Sequence, residues 1–207
     1  MHDHGAGSGR WEYIHPNLCM IINLWTCTSM NLCMITTGRG GGVFTEAMGQ
    51  VPAGVGVVTV KDGRDDLGTT VATLLSVSLA PPLVLVSLDS SSYLTEVLLR
   101  NDRWAASLLA DGQQAIASRF ATPGRPSARL LLASTPHHRG DHSEALVIDG
   151  GVTALEVETT RVVPAGDHTL FIGQVLGVAY VDVSKAPLVR LRGRYRPVPG
   201  IKAAPEA

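Results

Sequence analysis

The sequence lacks an excess of charge of either sign. Its 207 residues include 17 lysines and arginines and 18 aspartates and glutamates, so the formal net charge at pH 7 is -1. The basic residues form no stripe along the chain, whereas proteins that bind nucleic acid carry clustered lysines and arginines that neutralise phosphates. We therefore expect no nucleic acid partner.

Cysteine is also scarce, because the three cysteines, Cys19, Cys27 and Cys33, all lie near the start of the chain. Their spacing matches no zinc-binding or thioredoxin-like pattern. An odd number of cysteines, with none in the rest of the chain, argues against a disulfide framework. The cysteine content therefore fits a reducing compartment, and we expect a cytoplasmic protein.

The short motifs that identify many nucleotide-binding enzymes are missing. The glycines of "GAGSGR" and "GRGGGV" follow no predicted strand, and "GVGVVT" lacks the third glycine of a Rossmann fingerprint. The sequence also contains no P-loop and no G-x-S-x-G motif. We therefore expect neither a Rossmann site nor a P-loop site.

One long uncharged stretch, residues 16–38, raises the question of a membrane span. A span needs about 20 mostly apolar residues, but here Asn17, Asn23 and Asn31 would have to be satisfied in lipid. The preceding residues 1–15 are too long and too mixed in charge for the start of a signal peptide. We expect residues 1–42 to be a poorly ordered or peripheral extension, with a packed element or an anchor as alternatives, and we expect no membrane partner.

Regular patterns begin after the glycine run at residues 38–42, which is typical of a flexible joint. Residues 44–51 space apolar side chains as a short helix does, and Pro52 ends this pattern. The segments "GVGVVTV" and "TTVATLLSVSLA", joined by the charged turn "KDGRDDLG", then predict a hairpin. We place one domain at residues 43–200 and a tail at residues 201–207.

Strand patterns outnumber helix patterns in this domain. "LVLVSLD" predicts a strand covered on both faces, "SSSYLTEVLLRN" predicts a helix capped by a serine, and "DGQQAIASRFA" predicts a helix capped by Asp111. "RWAASLL" predicts a further strand. "VTALEVETTRVV" alternates Leu155 and Val157 against Glu156 and Glu158, which predicts a half-buried strand. Together these patterns predict a mainly β, antiparallel barrel.

Residues 122–151 form a long segment rich in proline, glycine, arginine and histidine. Such length is uncommon for a passive connection, so the segment predicts a binding loop. His137, His138, Asp141 and His142 lie close together in it, which raises a metal hypothesis. Metal ligands usually sit on rigid elements, and no H-E-x-x-H helix is present, so we expect no metal site.

The tripeptide Gly-Asp-His occurs twice, at residues 140–142 and 166–168, and only the second copy leads straight into a predicted strand. Aspartate is ordinary in turns, whereas histidine is less ordinary at the start of a strand. Asp167 can orient the His168 imidazole through a hydrogen bond. Asp167 and His168 are therefore candidate catalytic residues, and the alternative is a turn residue followed by a histidine with a purely structural role.

Hydroxyl side chains are concentrated at residues 69–78 and 87–92. Hydroxyls and backbone N–H groups near the start of a helix can hold a phosphate without lysine or arginine. The alternative is that threonine is common in strands and serine is common at helix caps.

In this order, the segments resemble the short-chain flavin reductase family. The residues that carry the resemblance are "AMGQVPAGVGVVTVKDG", "GTTVATLLSVSLAPPLVLVSLD", "RWAASLLADGQQAIASRFA", "AGDHTLFIGQV" and "LRGRYRPV". The patterns "SVSLxPPLVLV" and "GDHTLFIGQV" are the most diagnostic. The resemblance covers residues 43–198 and implies an antiparallel Greek-key split β-barrel with a few short flanking helices, the FMN-binding split barrel.

The resemblance implies an NAD(P)H:flavin oxidoreductase, a homodimer that transfers hydride from NADH, or alternatively NADPH, to FMN or FAD. Such proteins supply reduced flavin to a partner flavin-dependent monooxygenase. The cofactors bring the reactivity, and the fold has to hold the donor carbon about 3 to 3.5 Å from the flavin nitrogen. The alternatives are a non-catalytic flavin- or haem-binding split-barrel protein and a pyridoxamine-phosphate-oxidase-like enzyme, which needs a basic phosphate site that the sequence does not show.

The resemblance also implies cofactor-binding residues, carried over by position. Around the flavin ring and ribityl chain these are Thr70, Val71, Ala72, Thr73, Ser76, Val77 and Ser78. Near the ribityl chain, the phosphate or the ring edge they are Ser87, Asp89, Ser90, Ser91, Ser107 and Phe120, and near the nicotinamide they are His168 and Tyr195. Members of the family often have arginine at the position of Ser90 and asparagine at that of Ser107, so the grip on the phosphate and the choice between FMN and FAD stay open.

Overall fold

The computed structural model of the chain describes residues 40–198. The three cysteines, the uncharged stretch, the tail and nearly all of the predicted extension lie outside the described residues. The first described helix begins at Gly40, so part of the glycine run that predicted a flexible joint is helical. No helix within residues 40–198 is both long enough and apolar enough to cross a membrane.

The described residues form mostly strands, joined by a few short helices. The strands are β1 (Ala53–Gly54), β2 (Gly56–Asp62), β3 (Asp65–Val71), β4 (Leu75–Leu79), β5 (Pro82–Asp89), β6 (Arg103–Leu108), β7 (His137–Arg139), β8 (Leu146–Ile148), β9 (Thr153–Ala165), β10 (His168–Val181), β11 (Leu188–Leu191) and β12 (Arg194–Pro197). The helices are α1 (Gly40–Gly49), α2 (Tyr93–Leu98), α3 (Gln114–Ala121) and α4 (Ala128–Leu131).

Seven strands form one sheet in the order β3-β2-β6-β9-β10-β5-β4. Its neighbouring strands all pair antiparallel. A second sheet contains β1, β11 and β12, and a third contains β7 and β8. The predicted mainly β, antiparallel architecture is confirmed. The predicted hairpin is confirmed for β2 and β3, but β3 begins at Asp65 within the predicted turn, and the predicted second strand is divided because β4 pairs with β5.

Strand β2 lies between two apolar clusters. Val58 and Val60 belong to the first cluster, together with Trp104 and Phe171, while Val57 belongs to the second, which α3 and α4 cover. Burial of each such side chain contributes about 1.5–3 kcal/mol. Strand β2 therefore contributes to both apolar clusters.

Two helix starts test the capping predictions. Helix α2 begins after Ser92, whose hydroxyl accepts a hydrogen bond from the Thr95 N–H, so the serine cap is confirmed. Helix α3 has Gln113 rather than Asp111 at its N-cap, so that prediction was wrong. The reason is a turn at Gly112, with a φ of +91°, which separates Asp111 from the helix.

Glu156 corrects the prediction of a half-buried strand at β9, because both Glu156 and Val157 are buried. The Oε2 atom of Glu156 accepts hydrogen bonds from the N–H of His142 at 2.8 Å and from the N–H and hydroxyl of Ser143 at 2.7 and 2.8 Å. Burial alone would raise the pKa of this carboxyl, but the Ser143 and His142 donors outweigh it and the pKa is lowered. The loop at residues 140–143 therefore covers the face of β9 that the alternating sequence pattern predicted to be exposed.

Residues 122–151 are not a plain loop, because they contain α4, β7 and β8. Arg139 donates to both carboxylate oxygens of buried Asp66, at 2.8 and 3.0 Å, and Arg129 lies 3.8 Å from the same carboxylate. Asp66 belongs to β3, so these ion pairs fix the segment to the hairpin of β2 and β3.

Candidate functional site

The predicted residues of β5 and β10 meet at one end of the large sheet. His168, the first residue of β10, pairs in register with Asp89, the last residue of β5. The Ser90 N–H donates to the Asp167 carbonyl at 3.0 Å, and the Ser90 hydroxyl lies 2.8 Å from that of Thr169. Two stretches that are far apart in the sequence therefore form one exposed surface. We call it the polar rim, and it comprises Thr73, Ser87, Asp89, Ser90, Ser91, Asp167 and His168.

The His168 imidazole is held on this rim by a neighbouring carboxylate. Its Nδ1 lies 2.8 Å from Oδ1 of Asp167. A carboxylate only accepts hydrogen bonds, so Nδ1 donates and Nε2 stays available to a ligand. The His168 side chain is 46% exposed and that of Asp167 is 95% exposed. The pair can therefore present an oriented ring nitrogen to a bound molecule.

Both carboxylates beside His168 stay ionised well into the acidic range. The hydrogen bond from His168, followed by its charge, lowers the pKa of Asp167. The hydroxyl and N–H of Ser91 hydrogen-bond Asp89 and lower its pKa, with a smaller contribution from the charge of His168. The rim therefore carries negative charge on both sides of the imidazole, which favours polar ligands that offer donors.

The rest of the rim is preorganised by hydrogen bonds between its own members. The Thr73 hydroxyl donates to the Ser87 carbonyl at 3.2 Å and accepts from the Ser87 N–H at 3.1 Å. Oδ1 of Asp89 accepts from both the N–H and the hydroxyl of Ser91, at 2.8 and 2.7 Å. The connection before β4 is thus fixed to β5, and Asp89 fixes the turn that follows β5.

Three predicted flavin contacts, Ser76, Val77 and Ser78, lie on β4 at one edge of the sheet. Large apolar side chains are exposed on the same strand, with Val77 49% and Leu79 88% exposed. Contiguous exposed apolar surface commonly marks an interaction site. The strand has the composition of a contact surface, although it does not belong to the polar rim.

The structure does not bring three other predicted residues to the rim. Val71, Ser107 and Phe120 are all buried. The Ser107 hydroxyl accepts from the Ile148 N–H at 2.9 Å, and Phe120 packs so close to Gly68 that a Cβ there would lie 2.6 Å from the ring. These side chains contact other residues of the core, and the buried Ser107 hydroxyl has its hydrogen-bond partner there, as buried polar groups usually do.

The remaining predicted residues lie elsewhere. The Thr70 hydroxyl donates to the Ala117 carbonyl at 2.7 Å. Ala72 lines a different cleft, of about 370 Å³, between α1 and the turn that joins β11 and β12. Tyr195 belongs to β12 in the three-stranded sheet and packs against the second apolar cluster. These three residues are outside the rim.

His137 and His138, which lie just before the first Gly-Asp-His, contact different partners. His137 Nδ1 lies 2.7 Å from the Thr135 carbonyl, and His138 Nδ1 lies 2.7 Å from Oδ1 of Asp149. Within residues 40–198, no group of three or more histidine, cysteine, aspartate or glutamate side chains is placed to hold a metal ion.

A further cleft adjoins the rim at Ser92, which follows Ser91 in the chain, and the sequence patterns did not predict it. It has a volume of about 290 Å³, and Arg125 lies in its wall. Arg125 stands between Gly124 and Pro126 in the segment at residues 122–151, where it matches no motif. The only signal for it was the unusual length of that segment.

Comparison with known proteins gives a consistent result. A family profile described as a flavin reductase like domain matches residues 48–199. The chain is 37% identical over 159 residues to the NADH-dependent FMN reductase AsuE2 of Streptomyces nodosus subsp. asukaensis, covering 77% of this chain and 85% of the relative. It is 31% identical over 153 residues to the reductase component of 4-hydroxyphenylacetate 3-monooxygenase of Thermus thermophilus, covering 74% and 93%.

A solved structure shows the same similarity in three dimensions. The NADH:FAD oxidoreductase SgcE6 of Streptomyces globisporus C-1027 superimposes with a TM-score of 0.70 at 30% sequence identity. The superposition covers 82% of this chain and 96% of that chain.

Proposed function

The chain belongs to the flavin reductase-like domain family, and from this membership we propose that it is an NADH-dependent flavin reductase. It transfers hydride from NADH to FMN or FAD and supplies the reduced flavin to a partner monooxygenase. The relatives support both halves of this activity, since two are named for NADH and a flavin and one is the reductase component of a monooxygenase. The family and the split-barrel fold that the sequence resemblance predicted are confirmed.

The single observation that carries the proposal for the site is the position of His168 on the polar rim. Its available Nε2 lies on the same surface as the hydroxyls of Ser90 and Ser91 and the carboxylates of Asp89 and Asp167, which are suited to the hydroxyl groups of a ribityl chain. When bound, the flavin and NADH supply the redox chemistry. In this proposal Asp167 orients His168, His168 positions the nicotinamide end of NADH, and the fixed pair of Thr73 and Ser87 supports the flavin side.

Steady-state turnover tests this function against a non-catalytic carrier. Purified protein is mixed with NADH and an excess of FMN or FAD, and the loss of NADH absorbance is followed. We expect many NADH molecules to be oxidised per protein chain, because an enzyme releases reduced flavin and starts again. Oxidation of at most one NADH per chain would show a carrier. Repeating the assay for all pairings of NADH or NADPH with FMN or FAD identifies the preferred donor and acceptor.

We propose further that two chains associate through β4. This strand ends the sheet, so no strand within residues 40–198 pairs with the backbone groups of its outer edge. Leu75, Val77 and Leu79 on it are 58%, 49% and 88% exposed. Covering such a surface with a second copy removes both the open edge and the apolar area from water.

Light scattering coupled to gel filtration tests the dimer. We expect the mass of two chains for the wild type and of one chain for Leu79→Asp, because a charge would be buried at the contact. Leu130→Asp is the matched control, since Leu130 is 69% exposed on α4, away from β4. A wild-type mass of one chain would overturn the proposal.

We also propose a cytoplasmic location, because residues 43–200 contain no cysteine that could form a disulfide and because NADH is regenerated in the cytoplasm. Cell fractionation checks it, and recovery of the protein outside the cytoplasmic fraction would contradict it.

A further inference from the structure

Arg125 is a half-buried cation that forms no ion pair with a carboxylate of the described residues. Its Nε donates to the Gly68 carbonyl, and its Nη1 lies 3.5 Å from the Thr122 carbonyl. Burial lowers the pKa of its guanidinium, which nevertheless stays charged at neutral pH. Within residues 40–198 no carboxylate forms an ion pair with it, whereas Arg129 and Arg139 of the same segment both approach Asp66.

The cleft that contains Arg125 includes residues that are next to the polar rim in the sequence. Its walls are formed by Leu67 and Gly68 of β3, by residues 92–94 at the start of α2, and by residues 124–126. Ser92 directly follows Ser91 of the polar rim. The cleft and the rim therefore adjoin at the turn after β5, where Ser91 and Ser92 are neighbours in the chain.

The chemistry of the cleft favours an anion. A guanidinium that has lost part of its hydration gains most from an acceptor that carries negative charge. Nε of Arg125 is used by Gly68, but the planar guanidinium has five N–H donors, so several remain for a phosphate. Other polar side chains at the cleft are already engaged, since the Ser92 hydroxyl accepts from Thr95 and the Tyr93 hydroxyl donates to Asp62.

We propose that Arg125 binds the phosphate group of the flavin nucleotide. The proposal rests on the proposed flavin reductase function and adds to it the residue that recognises phosphate. The polar rim as defined contains no lysine or arginine, and Arg125 supplies a positive charge from the segment at residues 122–151. The site then distinguishes FMN from riboflavin, which differ only in the phosphate.

The test compares the binding of FMN and riboflavin to wild type and Arg125→Gln by fluorescence titration. We expect the wild type to bind FMN more tightly than riboflavin. Arg125→Gln should weaken FMN binding about tenfold or more and leave riboflavin binding unchanged, because one charge-assisted contact is lost. Arg161→Gln is the matched control, since Arg161 is exposed on β9 and forms no ion pair within the described residues.

Further measurements identify which phosphate Arg125 binds and show which results would overturn the proposal. Inorganic phosphate should compete with FMN in the wild type and not in Arg125→Gln. If Arg125→Gln instead raises the KM for NADH with riboflavin as acceptor and leaves FMN binding intact, the anion belongs to the pyridine nucleotide and the proposal is overturned. An unchanged ratio of FMN to riboflavin affinity also overturns it.

Failure of the function itself would be recognised separately, because the wild type would then reduce none of FMN, FAD and riboflavin. Riboflavin binding by Arg125→Gln serves as the check that this variant is folded. If the variant loses riboflavin binding, Arg125→Lys replaces it, and that substitution should restore part of the preference for FMN because the charge is kept.

Discussion

Gly-Asp-His occurs at residues 140–142 and again at residues 166–168, in different surroundings. In the first copy Gly140 is buried, and the backbone N–H of His142 donates to the buried carboxylate of Glu156. In the second copy Gly166 takes a φ of +65° in the turn between β9 and β10, and the side chains that follow it are exposed.

The difference lies in which groups of the tripeptide find partners inside the chain. In the first copy the backbone is held by Glu156, so the tripeptide anchors a loop. In the second copy the imidazole of His168 is held by its neighbour Asp167 and presents its other nitrogen outward. The same three residues are therefore structural in one place and available to a ligand in the other, and variants of each copy should have different consequences.

Glu156→Ala should have the largest effect, because it leaves the donors of His142 and Ser143 buried without an acceptor. We expect the free energy of unfolding to fall by about 3 kcal/mol, as measured by urea denaturation. Glu158→Ala on the same strand is the control. Its exposed ion pair with Arg103 should contribute less than about 1 kcal/mol. Equal losses for both variants would show that Glu156 does not anchor the loop.

The next largest difference in stability is expected when the glycine of each Gly-Asp-His copy is replaced by alanine. A Cβ on Gly140 would lie 2.3 Å from Oε2 of Glu156, whereas a Cβ on Gly166 meets nothing within 4 Å. We expect Gly140→Ala to cost about 2 kcal/mol by overpacking and Gly166→Ala about 1 kcal/mol through its positive φ. Thermal unfolding of both variants measures the difference, and the reverse order would contradict this account of the first copy.

A smaller effect should appear in the pH dependence of stability. The pKa of Glu156 in the folded chain is lowered from its ordinary value of 4.5. Its stabilising contribution is therefore fully present above the unfolded pKa and is lost as the pH falls through the folded pKa. Between about pH 5 and pH 3, the wild type should lose more stability than Glu156→Gln. Parallel curves for the two proteins would remove Glu156 from the acid response.

Several strands of the fold could be predicted from sequence because their signals are local, whereas β7 and β8 were not predicted. The β-branched run of β2, the turn at Asp62 and Gly63, and the serine before α2 each specify their own structure. The burial of Glu156 could not be predicted, since the alternation of β9 does not show that a loop from residues 140–143 covers it. Such contacts depend on tertiary packing, which a local pattern does not contain.

In the candidate site, too, features with a local sequence signal could be predicted and features that depend on tertiary packing could not. The position of Asp167 and His168 at the start of a strand could be predicted from the apolar run that follows them, and the structure places them beside Asp89 and Ser90. The resemblance alone could not show that the side chains of Val71, Ser107 and Phe120 are buried. Arg125 was missed because its setting depends on Gly68 and α2, which are distant in sequence.

The measurement that tests the central claim most directly is the NADH kinetics of His168→Ala beside those of His142→Ala, one histidine from each copy. His168→Ala should raise the KM for NADH, or lower turnover, by about tenfold while flavin affinity stays at the wild-type value. His142→Ala should keep wild-type NADH kinetics, because its backbone N–H and not its ring reaches Glu156. Wild-type NADH kinetics in His168→Ala, or an equal change in both variants, would contradict the assignment of the second copy to the site.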